Sequence, residues 1–430
     1  MSEPNDYNRI ALAACFGTFI EWYDFLTFAT LAVHFAVLFF PADDPVAGLL
    51  YSLAAFGIGM VVRPLGAAVF GSFGDRYGRR KVFIATIGIM GLATFLVGLL
   101  PTFAEWGWWA TGLLLLLRVI QGLAMGGEIG GANVYLAEHA PRDKRGAATS
   151  VLQWMGGLGI LASTAQLIML QTWLSPEEFT SWGWRVPFLF SAVLLLLSFK
   201  ARLALLESPV FSELQNTGNT STTPLKDCLQ DPPTFKRMLL LFFGVSAGGS
   251  VLFFSSQVYL AVYLKTVVHM DAVTVGWLSA ASTVCLFPLT FLAGALSDRW
   301  GRRPVVISGL ALGVVSILPI YTALPFIADQ LALVFLLQLI LVSAVALVTG
   351  PQTALLSELF NARTRYTAVG LPHNLSAGWI GGLSPYMVNL IASQSGLAVV
   401  GLMYPNALLL MALLVCYFKL QETFGRDLAE

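Results

Sequence analysis

Residues 71–81 read G-S-F-G-D-R-Y-G-R-R-K, and residues 294–304 read G-A-L-S-D-R-W-G-R-R-P. The two copies begin 223 residues apart in a chain of 430, and long apolar runs flank each of them. A motif repeated after about half of the chain indicates two structurally similar halves. The repeat therefore predicts a duplicated helical bundle.

The composition is that of a membrane protein. Hydrophobic residues make up 57% of the chain and charged residues 11%, with a mean hydropathy of +0.75, whereas soluble domains carry roughly 25% charged residues. The four cysteines are scattered and form no C-x-x-C pair, so neither a disulfide framework nor a metal site is expected.

Twelve apolar stretches, each roughly 20 to 30 residues long, can cross ~30 Å of hydrocarbon as helices. The first is too long for a signal peptide and lacks a cleavage site, so we expect it to be retained. The predicted fold is all-α and integral to the membrane, with twelve helices in two pseudo-symmetric six-helix bundles. The predicted spans are 10–40, 47–73, 82–101, 109–139, 147–172, 185–205, 237–265, 272–298, 304–326, 329–357, 366–392 and 397–420.

The long hydrophilic stretch after the sixth span, residues 207–236, contains T-G-N-T-S-T-T-P and D-P-P. Such a composition is typical of a linker. It divides the chain into an N-terminal bundle, 1–206, a linker, 207–236, and a C-terminal bundle, 237–430.

Lysine and arginine concentrate in alternate loops, including those after spans two, four, eight and ten, whereas acidic residues such as Asp43, Asp44 and Glu105 dominate the opposite loops. Basic loops stay in the cytoplasm. We therefore expect both termini and the linker to be cytoplasmic, in a multi-pass protein of the bacterial inner membrane.

The repeated loops predict a pair of cytoplasmic gates. Their glycines allow helices to approach closely, and their aspartates can pair with arginines or cap a helix. Simple positive-inside loops are the alternative. The predicted gate residues are Gly71, Asp75, Arg76, Arg79, Arg80, Gly294, Asp298, Arg299, Arg302 and Arg303.

Five charged residues lie inside the spans of the first half. Each costs roughly 2.5–3.5 kcal/mol at mid-membrane, so it usually faces a partner or a wet cavity. Helical spacing places Glu21 and Asp24 on one face of span one, and Arg118, Gln121 and Glu128 on one face of span four. Together the five, which are Glu21, Asp24, Arg63, Arg118 and Glu128, carry a net charge of −1, and one proton would neutralise them.

This arithmetic predicts proton coupling, in which Asp24 or Glu21 is favoured over Glu128 as the titrating group. Protonation would free an arginine for a substrate carboxylate. Arg63 is the preferred substrate contact, since a guanidinium fits a carboxylate in two-pronged fashion; Arg118 shares that role or belongs to the proton-coupling network. A static ion-pair network that only locks the helices is the alternative.

Further polar and aromatic groups complete the predicted substrate site. Carboxylates beside Trp22 and Tyr23 suit a quaternary amine through cation–π contact. The remaining predicted contacts are Gln121, Gln257, His373 and Asn374.

Several motifs resemble those of the major facilitator superfamily. G-x-x-x-D-R-x-G-R-R after spans two and eight resembles its signature loop. G-T-F-I-E-W-Y-D-F (17–25), R-P-L-G (63–66), R-V-I-Q-G-L-A-M-G-G-E (118–128), W-G-W-R-V-P-F (182–188), E-S-P-V-F (207–211) and E-L-F-N-A-R-T-R-Y (358–366) resemble its metabolite:proton symporters, which carry proline and betaine, α-ketoglutarate, citrate or shikimate. The resemblance implies proton and substrate roles at the matched charged positions.

The sequence thus predicts a proton-coupled symporter that imports a small carboxylate-bearing metabolite, an organic acid or a zwitterion, by alternating access. A proline/betaine-type compatible-solute symporter is one alternative, and a non-transporting membrane sensor is another. The metalloprotease motif H-E-x-x-H is absent from the sequence, and no catalytic residue is expected. The expected partners are the metabolite, the proton and the bilayer, without nucleic acid or a cofactor, in a monomer driven by the proton gradient.

Overall fold

The computed structural model describes residues 4–40, 45–203 and 205–428; the acidic loop residues Asp43 and Asp44 lie outside them. The first half contains six spans. In chain order they are Pro4–Thr30 continued by Ala32–Phe39, Pro45–Tyr77, Arg79–Leu99, Trp108–His139, Arg145–Thr149 continued by Val151–Trp173, and Val186–Leu203.

The second half repeats this order with two irregular spans. Its seventh span alternates α-helix and π-helix, over Pro232–Leu240, Leu241–Val245, Ser246–Phe253, Phe254–Tyr259 and Leu260–Thr266. Spans eight to ten are Ala272–Trp300, Arg302–Ala323 and Leu331–Glu358. The eleventh comprises Arg365–Leu375, a π-helix at Ser376–Gly381, and Ser384–Ser395, and the twelfth is Ala398–Lys419.

Within the described ranges, eleven helices are long and apolar enough to cross a bilayer. The eleventh predicted span differs from these because it is interrupted at 382–383, after its π-helix. Glycines 378, 381 and 382 and a proline at 385 explain the interruption, since glycine and proline weaken a helix interior. Neighbouring helices can satisfy the freed backbone groups of such a broken span.

Glycines bring span four against span two. A Cβ atom at Gly122 would collide with the carbonyl oxygen of Gly59, and one at Gly126 with that of Arg63. The two backbones can therefore lie in contact only because these positions lack side chains. This contact fixes where span two presents Arg63.

The two signature loops make the same turn. Gly78, between spans two and three, has φ = +119°, and Gly301, between spans eight and nine, has φ = +97°. Residues with a Cβ rarely adopt such values, whereas glycine does so readily. The glycine of D-R-x-G-R-R is therefore a geometric requirement of the turn in both copies.

The linker is partly helical. It contains the helices Pro209–Asn216 and Pro224–Gln230. The seventh span begins at Pro232, inside the predicted linker, with Asp231 as its N-cap. The exact division of the chain into 1–206, 207–236 and 237–430 stays a prediction.

Candidate transport site and gate

The first buried ion pair lies where the two halves meet. Arg63 Nη2 is 3.2 Å from Glu21 Oε1, and these residues are 4% and 1% exposed. Arg63 Nε also donates to Asn374 Oδ1 of the second half at 3.2 Å, and Asn374 Nδ2 donates to the carbonyl of Gly126 at 3.1 Å. Predicted contacts from both halves, Arg63 and Asn374, thus come together.

The second ion pair lies within the first half. Arg118 donates to both carboxylate oxygens of Asp24, at 3.3 and 3.5 Å. Gln121 donates to Asp24 at 3.1 Å and to Thr94 at 2.8 Å, and the Arg118 guanidinium lies 3.7 Å from the centre of the Phe28 ring. Gln121 therefore orients the Asp24 carboxylate.

Glu128 does not belong to this central cluster. It forms a buried ion pair with Arg202 and accepts a hydrogen bond from Thr86 at 3.0 Å. The expectation that it clusters with Arg118 is corrected because ten helical residues separate the two by about 15 Å along the axis. Arg202, expected among the basic residues flanking the linker, is fully buried and also donates to the carbonyl of Phe83 at 2.6 Å.

Arg202 changes the predicted charge balance. With Arg202 added, the five predicted residues form three ion pairs, Glu21–Arg63, Asp24–Arg118 and Glu128–Arg202. The expected net charge of −1 is thereby corrected to zero when all six groups are ionised. An added proton would leave one positive charge uncompensated.

The two predicted aromatic contacts point in different directions. Trp22 is half-buried at the inter-half surface, where its ring centre lies 5.3 Å from that of Phe253. Tyr23 is buried inside the first half, and its hydroxyl donates to Gln166 and, at 3.0 Å, to the carbonyl of Pro187. The predicted substrate role of Tyr23 is therefore not supported by its position.

Two polar residues of the second half that were predicted to contact substrate, His373 and Gln257, form hydrogen bonds with other protein groups. His373 Nδ1 is 3.0 Å from the hydroxyl of Ser246, and Gln257 accepts a hydrogen bond from Thr283 at 3.2 Å. The buried Gln257 Nε2 has no hydrogen-bond partner among the described residues. Gln257 therefore keeps one unused donor, whereas the described contact of His373 is with Ser246.

The aspartates of the signature loops bind the opposite half. Asp75 accepts backbone hydrogen bonds from Tyr366 at 3.1 Å and Thr367 at 2.9 Å, at the start of span eleven. Asp298 accepts from the backbone of Gly146 and Ala147, both at 2.8 Å, at the start of span five. Each loop thus caps a helix of the other half. We call this end of the bundle the gate end.

Two buried glutamates bridge arginines from both halves. Glu138 pairs with Arg79 and, at 2.6 Å, with Arg365. In the second copy, Glu358 pairs with Arg145 at 2.8 Å and with Arg302 at 3.2 Å. The gate is therefore two-fold symmetric in its chemistry.

The sequence prediction of the gate included Arg79 and Arg302 but not their carboxylates. A signal was present: Glu138 precedes Arg145 by seven residues, and Glu358 precedes Arg365 by the same distance. Equal spacing at equivalent places in both halves marks a second repeat. It would have indicated these four residues as gate candidates.

The predicted glycines lie at close contacts between the halves. A Cβ at Gly71 would be 3.0 Å from the Cα of Thr367, and one at Gly294 would be 2.6 Å from the carbonyl oxygen of Gly146. A side chain at Gly294 would therefore push the two backbones apart, and one at Gly71 would make a tight contact with span eleven.

Four predicted gate arginines lie elsewhere. Arg76 and Arg299 are exposed. Arg80 donates to the carbonyl of Leu203, and Arg303 to that of Tyr417, both at 2.8 Å, which ties each loop to the end of its own half. These four arginines do not join the halves because the turn directs them outwards or along the surface.

The linker thiol Cys228 gives a test of packing at the gate end. It is fully buried, and its Sγ lies 3.8 Å from the carbonyl oxygen of Thr364. Burial raises the pKa of the Cys228 thiol to about 12. Since the thiolate is the reactive form, we expect maleimide labelling of Cys228 at pH 8 to be at least tenfold slower in the folded protein than in denatured protein. Equal rates, measured by peptide mass spectrometry, would contradict this packing.

The paired bundles, the ion pair between the halves and the symmetric contacts at the gate end are the arrangement of a membrane transporter. The sugar (and other) transporter family matches residues 10–227 and 212–430. The chain belongs to this family, within the major facilitator superfamily. It is thus a multi-pass membrane transporter and not an enzyme, and the predicted fold class and resemblance are confirmed.

Three related transporters match nearly the whole chain. The inner membrane metabolite transport protein YhjE of Escherichia coli (strain K12) is 35% identical over 93% of this chain and 91% of its own. The shikimate transporter of the same strain is 35% identical over 88% and 86%. The proline/betaine transporter of Salmonella typhimurium (strain LT2) is 32% identical over 97% and 84%.

A solved structure shares the fold. The major facilitator proton:xylose symporter XylE bound to 6-bromo-6-deoxy-D-glucose superposes with a TM-score of 0.75, with 20% sequence identity, over 99% of this chain and 98% of its own.

Proposed function

We propose that this transporter is a proton symporter that imports a small metabolite bearing one carboxylate, with Arg63 as the substrate contact. The observation that carries the proposal is the Glu21–Arg63 ion pair, at 3.2 Å, at the surface between the halves. A guanidinium in this place meets any solute that occupies the space between the bundles.

Arg63 is fully engaged by protein groups. Its Nε donates to Asn374, its Nη1 contacts the sulfur of Met60 at 3.6 Å, and its Nη2 faces Glu21. A substrate carboxylate must therefore replace Glu21 as the anionic partner. Protonation of Glu21 makes that exchange possible.

The hydrogen bonds favour Glu21 over Asp24 as the proton carrier. Asp24 accepts hydrogen bonds from Arg118 and Gln121, which stabilise its ionised form. Neither oxygen of Glu21 accepts a hydrogen bond from the described residues. Protonation of Glu21 sacrifices one ion pair and no hydrogen bond.

The charge balance supports coupling. The ion pairs Glu21–Arg63, Asp24–Arg118 and Glu128–Arg202 are neutral together. Binding a proton alone, or a monoanionic carboxylate alone, leaves a net charge in a low-dielectric site, whereas binding both does not. A zwitterion bound with a proton would leave one positive charge, so this balance favours an acid whose only charge is its carboxylate. The state with both proton and substrate bound therefore has the lowest electrostatic free energy among the bound states. The proton gradient, without a cofactor, then drives accumulation of the substrate.

The relatives support the substrate class. Shikimate, proline and betaine, which appear in their names, each carry one carboxylate. A compatible-solute symporter for zwitterions is the second candidate, because Trp22 and Phe253 place aromatic faces at the same inter-half surface. Such faces can hold a quaternary amine.

The proposed orientation places the gate end and both termini in the cytoplasm, in a bacterial inner membrane. The excess of lysine and arginine in the loops at this end supports it. With the gate closed there, substrate enters from the opposite side. Alternating access then releases it inwards.

Uptake by the wild-type protein in proteoliposomes tests the function. With an acidic exterior and neutral interior we expect accumulation of shikimate, proline or betaine, each with one carboxylate, and loss of accumulation with a protonophore. Citrate and α-ketoglutarate, with three and two carboxylates, should not accumulate. A sodium gradient at equal pH is the control. Thermal stabilisation by one of these solutes without any uptake would favour a sensor and contradict the proposal.

A further inference from the structure

A cavity of about 340 Å³ lies at the gate end, outside both the ion-pair site and the gate contacts. It lies between the last turns of span two and the linker helix Pro224–Gln230. Its apolar walls include Phe73, Tyr77 and Leu225, and two cations, Arg76 and Lys226, line it as well. The combination of apolar walls and paired cations is that of a site for an amphipathic anion.

The two cations are available to a ligand. Arg76 is exposed, and its guanidinium lies 4.9 Å from the centre of the Tyr77 ring, which holds it beside the cavity. Lys226 is also exposed. Its acidic neighbour Asp227 is occupied by Ser221 and Thr223, at 2.6 and 3.0 Å, and by the guanidinium of Arg363 at 3.4 Å.

An apolar stripe leads to this cavity along span two. Every fourth residue from Val61 to Tyr77 is apolar and 48 to 63% exposed, in the order Val61, Leu65, Val69, Phe73, Tyr77. At 1.5 Å per residue the stripe is about 24 Å long and turns gradually round the helix. It lies on the membrane-spanning part of the helix, so it faces hydrocarbon.

We propose that the cavity binds an anionic phospholipid, with its phosphate between Arg76 and Lys226 and one acyl chain along the stripe. The apolar walls and the continuous stripe favour a lipid over a soluble phosphate, which would use only the two cations. Two cations without a free carboxylate beside them favour an anionic over a zwitterionic headgroup. The lipid would connect span two to the linker.

Native mass spectrometry of the full-length protein in detergent tests the site, with palmitoyl-oleoyl phosphatidylglycerol as the probe. In the double variant Arg76→Gln, Lys226→Gln we expect the affinity for the first bound lipid to fall about tenfold, since each cation near an anionic surface contributes to binding. The matched control is Lys144→Gln, Lys236→Gln, which removes two exposed lysines of the same end outside the cavity. It should bind like wild type.

Two further arms separate the alternatives. Phosphatidylcholine should bind the wild-type protein at least tenfold more weakly, and 20 mM inorganic phosphate should not displace phosphatidylglycerol. An equal loss in both double variants would overturn the site, as would equal binding of the two lipids. Displacement by inorganic phosphate would show a simple anion site and overturn the lipid assignment. Circular dichroism confirms that the variants are folded, and none of these readouts depends on transport.

Discussion

Replacing Arg63 by glutamine is expected to weaken substrate binding about 30-fold or more. The variant loses a charge-assisted contact to the substrate carboxylate, which contributes about 2 kcal/mol. Binding is measured by the shift of the thermal unfolding midpoint with the transported solute. Arg363→Gln, which removes an exposed arginine at the gate end, is the control and should bind normally.

A second substitution separates the effect of Arg63→Gln on stability from its effect on substrate binding. Arg63→Gln leaves the buried Glu21 without its ionic partner, and removing one member of a buried pair costs about 3–5 kcal/mol. In the double variant Arg63→Gln, Glu21→Gln, we expect the unfolding midpoint to recover while substrate binding stays weak. Recovery of binding together with stability would show that the pair only locks the helices.

Glu21→Gln alone separates binding from coupling. An amide imitates the protonated carboxylate, so Arg63 is free for substrate at every pH. We therefore expect substrate binding to become independent of pH between 5 and 8, solute exchange to persist, and proton-driven accumulation to be lost. Asp24→Asn is the comparison variant. If it alone abolishes coupling, Asp24 and not Glu21 carries the proton.

Replacing Glu358 by glutamine is expected to open the gate end and to cost about 3–5 kcal/mol of stability. Arg145 and Arg302, both buried, would lose their shared carboxylate. The unfolding midpoint measures the loss, and maleimide labelling of Cys228, which packs at this end, should accelerate severalfold. Glu138→Gln, the symmetric substitution, should behave alike.

Glu213→Gln, on an exposed linker position, is the control for the gate variants. It should change neither stability nor labelling. Normal stability of Glu358→Gln would show that the buried carboxylate is not needed to hold the arginines, and the gate as described would be wrong.

The fold could be predicted from the sequence because it follows from the hydropathy pattern and from the repeated motif. Length and apolarity predict spans, and two copies of D-R-x-G-R-R predict two halves. The interruption in span eleven was not predicted, since a run of apolar residues does not show where the helix changes to a π-helix. That detail depends on packing against other helices.

The site was predicted in part. Helical spacing correctly predicted which faces of spans one and four are buried. It does not show how far apart two residues on one face lie along the helix axis, and so Glu128 was grouped with Arg118. Arg202 was missed because its position near the end of a span suggested a surface residue, whereas the fold buries it against Glu128. Which charged residues of distant spans form ion pairs depends on tertiary packing, and a single sequence does not reveal that packing.

Each signature loop caps a helix that belongs to the opposite half. The contact made by one loop therefore cannot open while the contact made by the other stays closed. Asp75 and Asp298 would have to release their backbone partners in the same event. We therefore expect forms in which only one of these contacts is broken to be costly. Under the proposed proton coupling, an empty carrier that rarely adopts such forms would leak few protons without substrate. The contacts that close this end of the protein would then also preserve the proposed driving gradient.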